Sequence, residues 1–325
     1  MTEQKIYQPI FRSTFADYLQ RFLEQKRALG YKYAIESWVL GDFDRYMFEN
    51  HLDATRLKLE TIDAWAAHRP NEVGNKSSNN RYTIMRQFAS FLIGCGCYAD
   101  MPESCRRRSH GFVPYIFSHQ QIIQMFSVLD SWSKEKRNSS IFKMLPILFR
   151  ILYCCGLRIS EALNLTIGRV DLEKETLLIT GAKYGKERLL PMSETLLISC
   201  REYISSFKKN VGKDEFLFCN DAKTAFSRRT IYTHFRSLLY ECGISHGGQS
   251  AGPRIHDFRH TFAVHSLINW THQGIDVNVA LPYLSTYLGH SNLSSTSQYL
   301  RLTAEVFPEV LQQVENYFQA TGGAE

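Results

Sequence analysis

The sequence predicts a mainly α-helical chain in two parts, with a small antiparallel β-hairpin or sheet in the second. Three observations predict this. Apolar residues recur at helical spacing along most of the chain, a proline- and arginine-bearing stretch just after residue 100 breaks that period, and two short strand-like runs flank a glycine-containing turn. A length of 325 residues leaves room for two cores of ordinary size.

An apolar content of 44% with 22% charged residues is that of a soluble globular protein rather than a disordered one. No apolar run is long enough to span a bilayer and MTEQKIYQPIF lacks a signal-peptide layout, so the expected location is the cytoplasm. Lys plus Arg exceed Asp plus Glu by 38 to 32, and the excess is informative where it clusters: Arg106, Arg107 and Arg108; Lys183, Lys186 and Arg188; Lys208, Lys209 and Lys213; Arg228 and Arg229. Such patches suit a polyanion, although any one of them is also what a solvated face looks like. The cysteines at 95, 97, 105, 154, 155, 200, 219 and 242 show no paired CxxC spacing, so free, mostly buried thiols are expected and Cys95/Cys97 is a weak metal signal.

Taken in order, residues 14–29 set Phe15, Tyr18, Leu19, Phe22 and Leu23 at helical spacing, and Gly30 stops the run. A second helix over 34–51 carries Trp38, Phe43, Tyr46 and Met47, and a third from about Thr61 carries Ile62 and Trp65. A fourth, from Ser77 or Ser78 to Gly94, turns Tyr82, Ile84, Phe88 and Phe91 inward and leaves Arg81 and Arg86 outside. These four make a small bundle over 1–100. Residues 101–117, with Pro102, Gly111 and Pro114 around Arg106, Arg107 and Arg108, read as a basic linker.

The second domain, 118–325, opens with a helix over 119–130 capped by Ser118, then a strongly apolar helix that starts at Ser139 or Ser140 and ends at Cys154. GLRISEAL follows at once, with Arg158 at a turn and Glu161 in a short helix. The runs 176–180 and 187–191 form the hairpin around GAKYGK, which holds out Lys183. Helices follow from Ser193 to about Lys209, over 228–242, from about His256, over 277–288, over 294–300, and from Thr303 to about Phe318.

A phosphodiester under attack gains negative charge, and a protein that cleaves it without metal needs fixed cations. Arginine suits, since its planar fork serves two phosphate oxygens at once; Arg158 and Arg259 are the candidates. His256 and Arg259 share a helix face at i and i+3, which for a lone H-x-x-R is more often just an exposed polar face. His260 stands at i+4 from His256, as a zinc pair would, but Asp257 occupies the position where H-E-x-x-H needs Glu, and the metal reading is set aside. A phenol of pKa about 10 is a weak nucleophile alone. Tyr299, one of 17 tyrosines and singly more like a core residue, gains weight from the cations grouped with it: His256, His290 or both to exchange protons with it or hold the phosphate, and Lys183 to protonate the leaving oxygen.

GLRISEAL, AKYGKERLLP, HDFRHTFA, LGHSN and Tyr299 stand in this order, and the set resembles the tyrosine recombinases, the lambda-integrase family that includes the bacterial Xer proteins. The resemblance runs by motif over about residues 118–318; the first hundred residues resemble the family's SAM-like core-binding domain by helical pattern alone. It implies that Arg158 and Arg259 are the catalytic arginines, Lys183 the hairpin lysine, His256 and His290 the two histidines, Tyr299 the nucleophile and Glu161 a supporting acid. Lys186 and Arg188 match backbone-phosphate positions, and Arg106, Arg107, Arg108, Arg81 and Arg86 are further candidates for DNA contact. The implied reaction is cleavage and rejoining of DNA through a 3′-phosphotyrosyl link and a Holliday junction, with no metal or other cofactor. The implied partners are double-stranded DNA recombination sites, three further copies on two such sites, and an accessory recombinase, with no membrane; the apolar face of the C-terminal helix (Val306, Val310, Val314) suits docking on an adjacent copy and equally folding back on its own core. The implied location is the cytoplasm, at the nucleoid. The stretch from His256 to His290 is longer than in the Xer type, with INWTHQGIDVNVALPYLS taking the extra residues, which points to a longer helix junction and to a mobile-element enzyme. Two rivals are resealing of the same strand, as in a type IB topoisomerase, and site-specific binding without chemistry; the latter would be expected to lack one of the catalytic positions, and all are filled.

Overall fold

A computed structural model of the chain describes residues 7–50, 52, 56–70, 72, 76–103, 113–135, 139–180, 187–208, 211–248, 252–290, 296–300 and 302. The chain divides into two compact units, Met1–Gly111 and Phe112–Glu325.

In the first unit the predicted stripes form α1 (Ala16–Ala28), α2 (Ala34–Glu49), α3 (Leu59–Ala66) and α4 (Lys76–Gly94). Leu19, Phe22 and Leu23 from α1 meet Phe43 and Met47 from α2, Ile62 and Trp65 from α3, and Ile84 and Phe88 from α4 in one core. Asp17 in the first turn of α1 and Lys26 and Arg27 in its last oppose the helix dipole favourably. Trp38 turns outward instead and stacks on Tyr7, with ring centroids 3.6 Å apart.

The expectation of an outward Arg81 is corrected. Its side chain is only 6% exposed, pairs with Glu72 and donates to the backbone oxygens of Ala66 and, at 2.7 Å, Ala67. The reason is its place in the helix: it stands three and four residues before the buried Ile84 and Met85, on the core-facing stripe. A guanidinium is tolerated there because carbonyls and a carboxylate replace its water. Arg86 is exposed, as expected, and donates to the Pro102 carbonyl at 2.6 Å.

The second unit is built around α6 (Ser140–Cys154), whose Met144, Leu145, Leu148, Phe149, Ile151 and Leu152 are all buried. Against it pack α5 (His119–Glu135), α8 (Glu194–Phe207) and α10 (Asp257–His272), with α9 (Arg228–Glu241) against α5. Ser118 caps α5, its Oγ accepting from the N–H of Gln121 at 3.1 Å while Gln121 Oε1 accepts from the N–H of Ser118 at 2.9 Å. Ser193 caps α8, its side chain accepting from the N–H of Leu196.

The hairpin is part of a three-stranded antiparallel sheet in the order β1 (Val170–Asp171), β2 (Thr176–Ile179), β3 (Arg188–Pro191). Leu177 pairs with Leu190 and Ile179 with Arg188. Leu177, Ile179 and Leu190 are buried and Leu189 is 60% exposed, so by strand alternation Arg188 faces the interior with Leu190. After α10, the turn at 273–276 leads into α11 (Val277–Leu288), and residues 296–300 are helical again. The stretch 268–285, where the extra residues are expected, runs from α10 through that turn into α11. Ala263, Val264, Leu267 and Leu281 join Leu284, Leu288, Tyr299 and Leu300 in a separate apolar cluster. Lys183, Lys186, Arg106, Arg107, Arg108 and the expected helix from Thr303 lie outside the described residues. Among the described residues no helix is long and apolar enough to cross a membrane.

Candidate active site

The site starts from a sharp turn between α6 and α7 (Ile159–Leu163). Gly156 has φ +58°, and a Cβ there would stand 2.5 Å from the ring of Phe262. Only glycine fits both the left-handed backbone and the close ring. The turn leaves Arg158 at the N-cap of α7 and Glu161 at its third position.

Glu161 ties the cations together. Its carboxylate accepts from the Arg158 backbone N–H at 2.9 Å and from Arg158 Nη1 at 2.8 Å. It also accepts both terminal nitrogens of Arg188, at 3.2 and 2.8 Å, and Arg259 Nη1 stands 4.0 Å away. Burial alone would push the Glu161 pKa up, but the hydrogen bonds from Arg188 and from the Arg158 backbone and side chain outweigh it and bring the pKa to about 2. Arg188, expected to hold a backbone phosphate, faces inward on β3 and directs its fork at Glu161.

Arg259 is 1% exposed and donates to the carbonyls of Gly156, at 2.9 Å, and Leu288, at 2.6 Å. Two distant turns thus aim one guanidinium. Burial, with Arg158 adding to it, lowers its pKa to about 10, so it remains charged at neutral pH.

Tyr299 closes the cluster from the 296–300 helix, with its side chain 1% exposed. Its Oη lies 3.1 Å from Nδ1 of His260, and its ring stacks on His290 with centroids 6.2 Å apart. Burial pushes its pKa up, against a pull from the charge and hydrogen bonding of Arg259 and the charge of Arg158. His290 follows the left-handed Gly289 (φ +68°) that ends α11, and its Nδ1 stands 2.7 Å from Thr296 Oγ1. Burial, then Arg259 and Arg158, hold its pKa down to about 4. His256 sits just ahead of α10 and is exposed to solvent, with its ring edge-on to His260 at 4.8 Å.

The structure therefore brings Arg158, Glu161, His256, Arg259, His290 and Tyr299 to one place. Sequence reasoning missed Thr296 and the inward turn of Arg188, and considered His260 only as a zinc ligand. A signal existed for the last two: Arg188 stands two residues before apolar Leu190, on the same strand face, and His260 follows Arg259 on the face that His256 begins. Chemically, the cluster offers fixed cations, neutral imidazoles and a phenol, a set suited to an anion.

Comparison with known proteins identifies the family and the fold. The model of the phage integrase family matches residues 116–305. A chain of Sinorhizobium fredii (strain NGR234) named as a candidate integrase/recombinase, y4rB, is 30% identical over 317 residues, 94% of this chain and 99% of that one. The tyrosine recombinase XerA of Pyrococcus horikoshii is 29% identical over 222 residues, 61% of this chain and 72% of that one. Among solved structures, XerH recombinase in a pre-cleavage complex with difH has TM-score 0.62 at 16% identity, covering 90% of this chain and 94% of its own. The Tn1549 transposon integrase with a circular-intermediate DNA has TM-score 0.61 at 19% identity, covering 90% and 99%; both show the same fold. A family match across more than half its length, joined to a near full-length relative, places this chain in the phage integrase family, the tyrosine-type site-specific DNA recombinases.

Proposed function

We propose that the chain recombines DNA by attack of Tyr299 on a scissile phosphate, giving a 3′-phosphotyrosyl link and a free 5′ hydroxyl. A 5′ hydroxyl from the partner strand then attacks that link, and repetition on the second strand pair resolves a Holliday junction. The bond energy stays in the phosphotyrosine between the two steps. The observation that carries this reading is the placing of the Tyr299 hydroxyl beside Arg259 and the His260 imidazole, with His290 against the Tyr299 ring and Arg158 held alongside by Glu161.

In this reading Arg158 and Arg259 bear the charge that builds on the non-bridging oxygens, His256 and His290 hold the phosphate, and Lys183 protonates the 5′ oxygen. DNA is the partner, with four protomers on two sites joined through the C-terminal helix and an accessory recombinase as a further partner. Exposed Arg86, together with Lys186 and Arg106–Arg108, serves the DNA backbone. The protein works in the cytoplasm at the nucleoid, and a mobile element is its source; the likeness to a transposon integrase supports that last point.

The test is covalent capture. The chain is incubated with fragmented genomic DNA of its host, protein-linked fragments are recovered and sequenced, and a nicked duplex is made from the recovered site. The wild-type chain should attach to the 3′ end of the nicked duplex and Tyr299→Phe should bind it without attaching. Attachment by Tyr299→Phe refutes the reading, and resealing without exchange between two sites favours the topoisomerase-like alternative.

A further inference from the structure

We infer that His260 is a catalytic residue: the base that takes the phenolic proton of Tyr299 during cleavage and returns it during rejoining. This rests on the reading of Tyr299 as nucleophile and adds to it the fate of the proton.

The geometry assigns the role. His260 Nδ1 stands 3.1 Å from Tyr299 Oη, within direct hydrogen-bond reach of the oxygen that must lose a proton. Both side chains are buried, at 7% and 1% exposure, so the pair is screened from bulk water. His256 is at the exposed edge and meets His260 ring to ring, while His290 turns Nδ1 to Thr296. Those two imidazoles are placed to meet a phosphate, and His260 is placed behind the nucleophile.

The groups that face His260 are His256, Arg254 and Arg259 from the start of α10 and its lead-in, and His290 and Tyr299 from beyond α11. Burial first, then these cations and imidazoles, hold His260 down to about 3, so the ring is neutral and its Nδ1 lone pair accepts from the phenol. A phosphodiester entering among Arg158 and Arg259 brings the negative charge that offsets this field and raises the basicity of the ring. The phenol meanwhile becomes more acidic as its oxygen bonds to phosphorus.

In cleavage the Oη–H bond breaks, the proton moves to His260 Nδ1, the Oη–P bond forms and the P–O5′ bond breaks, with the 5′ oxygen protonated by Lys183. In rejoining, the incoming 5′ hydroxyl gives its proton to Lys183 and bonds to phosphorus, the Oη–P bond breaks, and His260 returns its proton to the phenolate. No proton is gained or lost over the cycle.

The experiment uses the full chain and the nicked duplex recovered with it. His260→Asn keeps an acceptor where Nδ1 lies but takes up no proton. Single-turnover attachment should fall on the order of 10²-fold at pH 7 with duplex binding retained, and should recover as pH rises toward the range of phenol ionisation. Attachment at the wild-type rate, or a deficit that higher pH does not relieve, overturns the inference. A second measurement needs no variant: with a 5′-bridging phosphorothiolate, whose leaving group requires no proton, wild-type attachment should keep a solvent deuterium isotope effect, and its absence also overturns the inference. If Tyr299→Phe attaches, the nucleophile itself is wrong; if Tyr299→Phe is inert and His260→Asn is as fast as wild type, only the role of His260 fails.

Discussion

Glu161 shows how one anion makes a cluster of cations possible. Arg158, Arg188 and Arg259 all stand within 4.0 Å of its carboxylate, and without a negative charge between them they would repel at short range in a poorly solvated place. Glu161→Gln preserves shape and removes that charge. Stripping one partner from a buried ionic cluster costs roughly 3 kcal/mol or more, so the variant should melt earlier and attach to nicked DNA more slowly because Arg158 is no longer aimed. The sign of the pH dependence follows from the pKa of about 2. A folded-state value below the ordinary carboxylate range means the stabilisation is present above that range and is lost as pH falls toward about 2. Melting curves of the two proteins should converge on acidification, and a gap that stays constant would contradict the argument.

At the scale of elements, the site is assembled from ends: the turn after α6, the start of α10, the end of α11 and the inner face of β3. Two left-handed glycines let these ends approach. A Cβ at Gly156 would meet the Phe262 ring at 2.5 Å, whereas one at Gly289 would meet Arg188 Nη1 at 3.0 Å, the end of a flexible side chain. Each alanine variant carries about 1–2 kcal/mol of backbone strain, but Gly156→Ala must also displace a packed ring. Gly156→Ala should therefore lower Tm more than Gly289→Ala, and Gly289→Ala should slow attachment by pushing Arg188 off Glu161; the reverse ranking in thermal melts would overturn this account. The helices were legible because their apolar stripes repeat over several turns, and the five-residue α7 was legible because GLRISEAL carries both a turn and a cap pattern. The two-residue β1 was not, since so short a strand has no period to read. Arg81 and Arg188 turn inward although arginine as a residue type suggests an outward side chain. Spacing from Ile84 and the strand face shared with Leu190 both put those arginines inside. What no local pattern encodes is the partner across the fold, such as Glu161 for Arg188 or Tyr299 for His260.

For the molecule as a whole, keeping imidazoles neutral inside the second unit has a cost that appears with acid. His260 is held to about 3 by burial and then by neighbouring cations and imidazoles, and His265, 4% exposed and 2.9 Å from the Tyr153 hydroxyl, to about 4 by burial and then by His119 stacked on it. Both values lie below the unfolded imidazole pKa of about 6.5. Between roughly pH 4 and 6.5 the unfolded chain therefore binds more protons than the folded one, and stability rises with pH across that window. By pH 5 each group removes up to roughly 2 kcal/mol relative to neutral pH. Against a typical total of about 5–15 kcal/mol, two such groups are a large share. Denaturant titrations from pH 8 to pH 5 should show stability falling below pH 6.5, well before carboxylates such as Glu161 begin to titrate. His265→Gln removes one titrating ring, so its stability should fall less steeply over the same range even if it starts lower. Equal slopes for the variant and the wild-type chain would mean that His265 does not stay neutral in the fold.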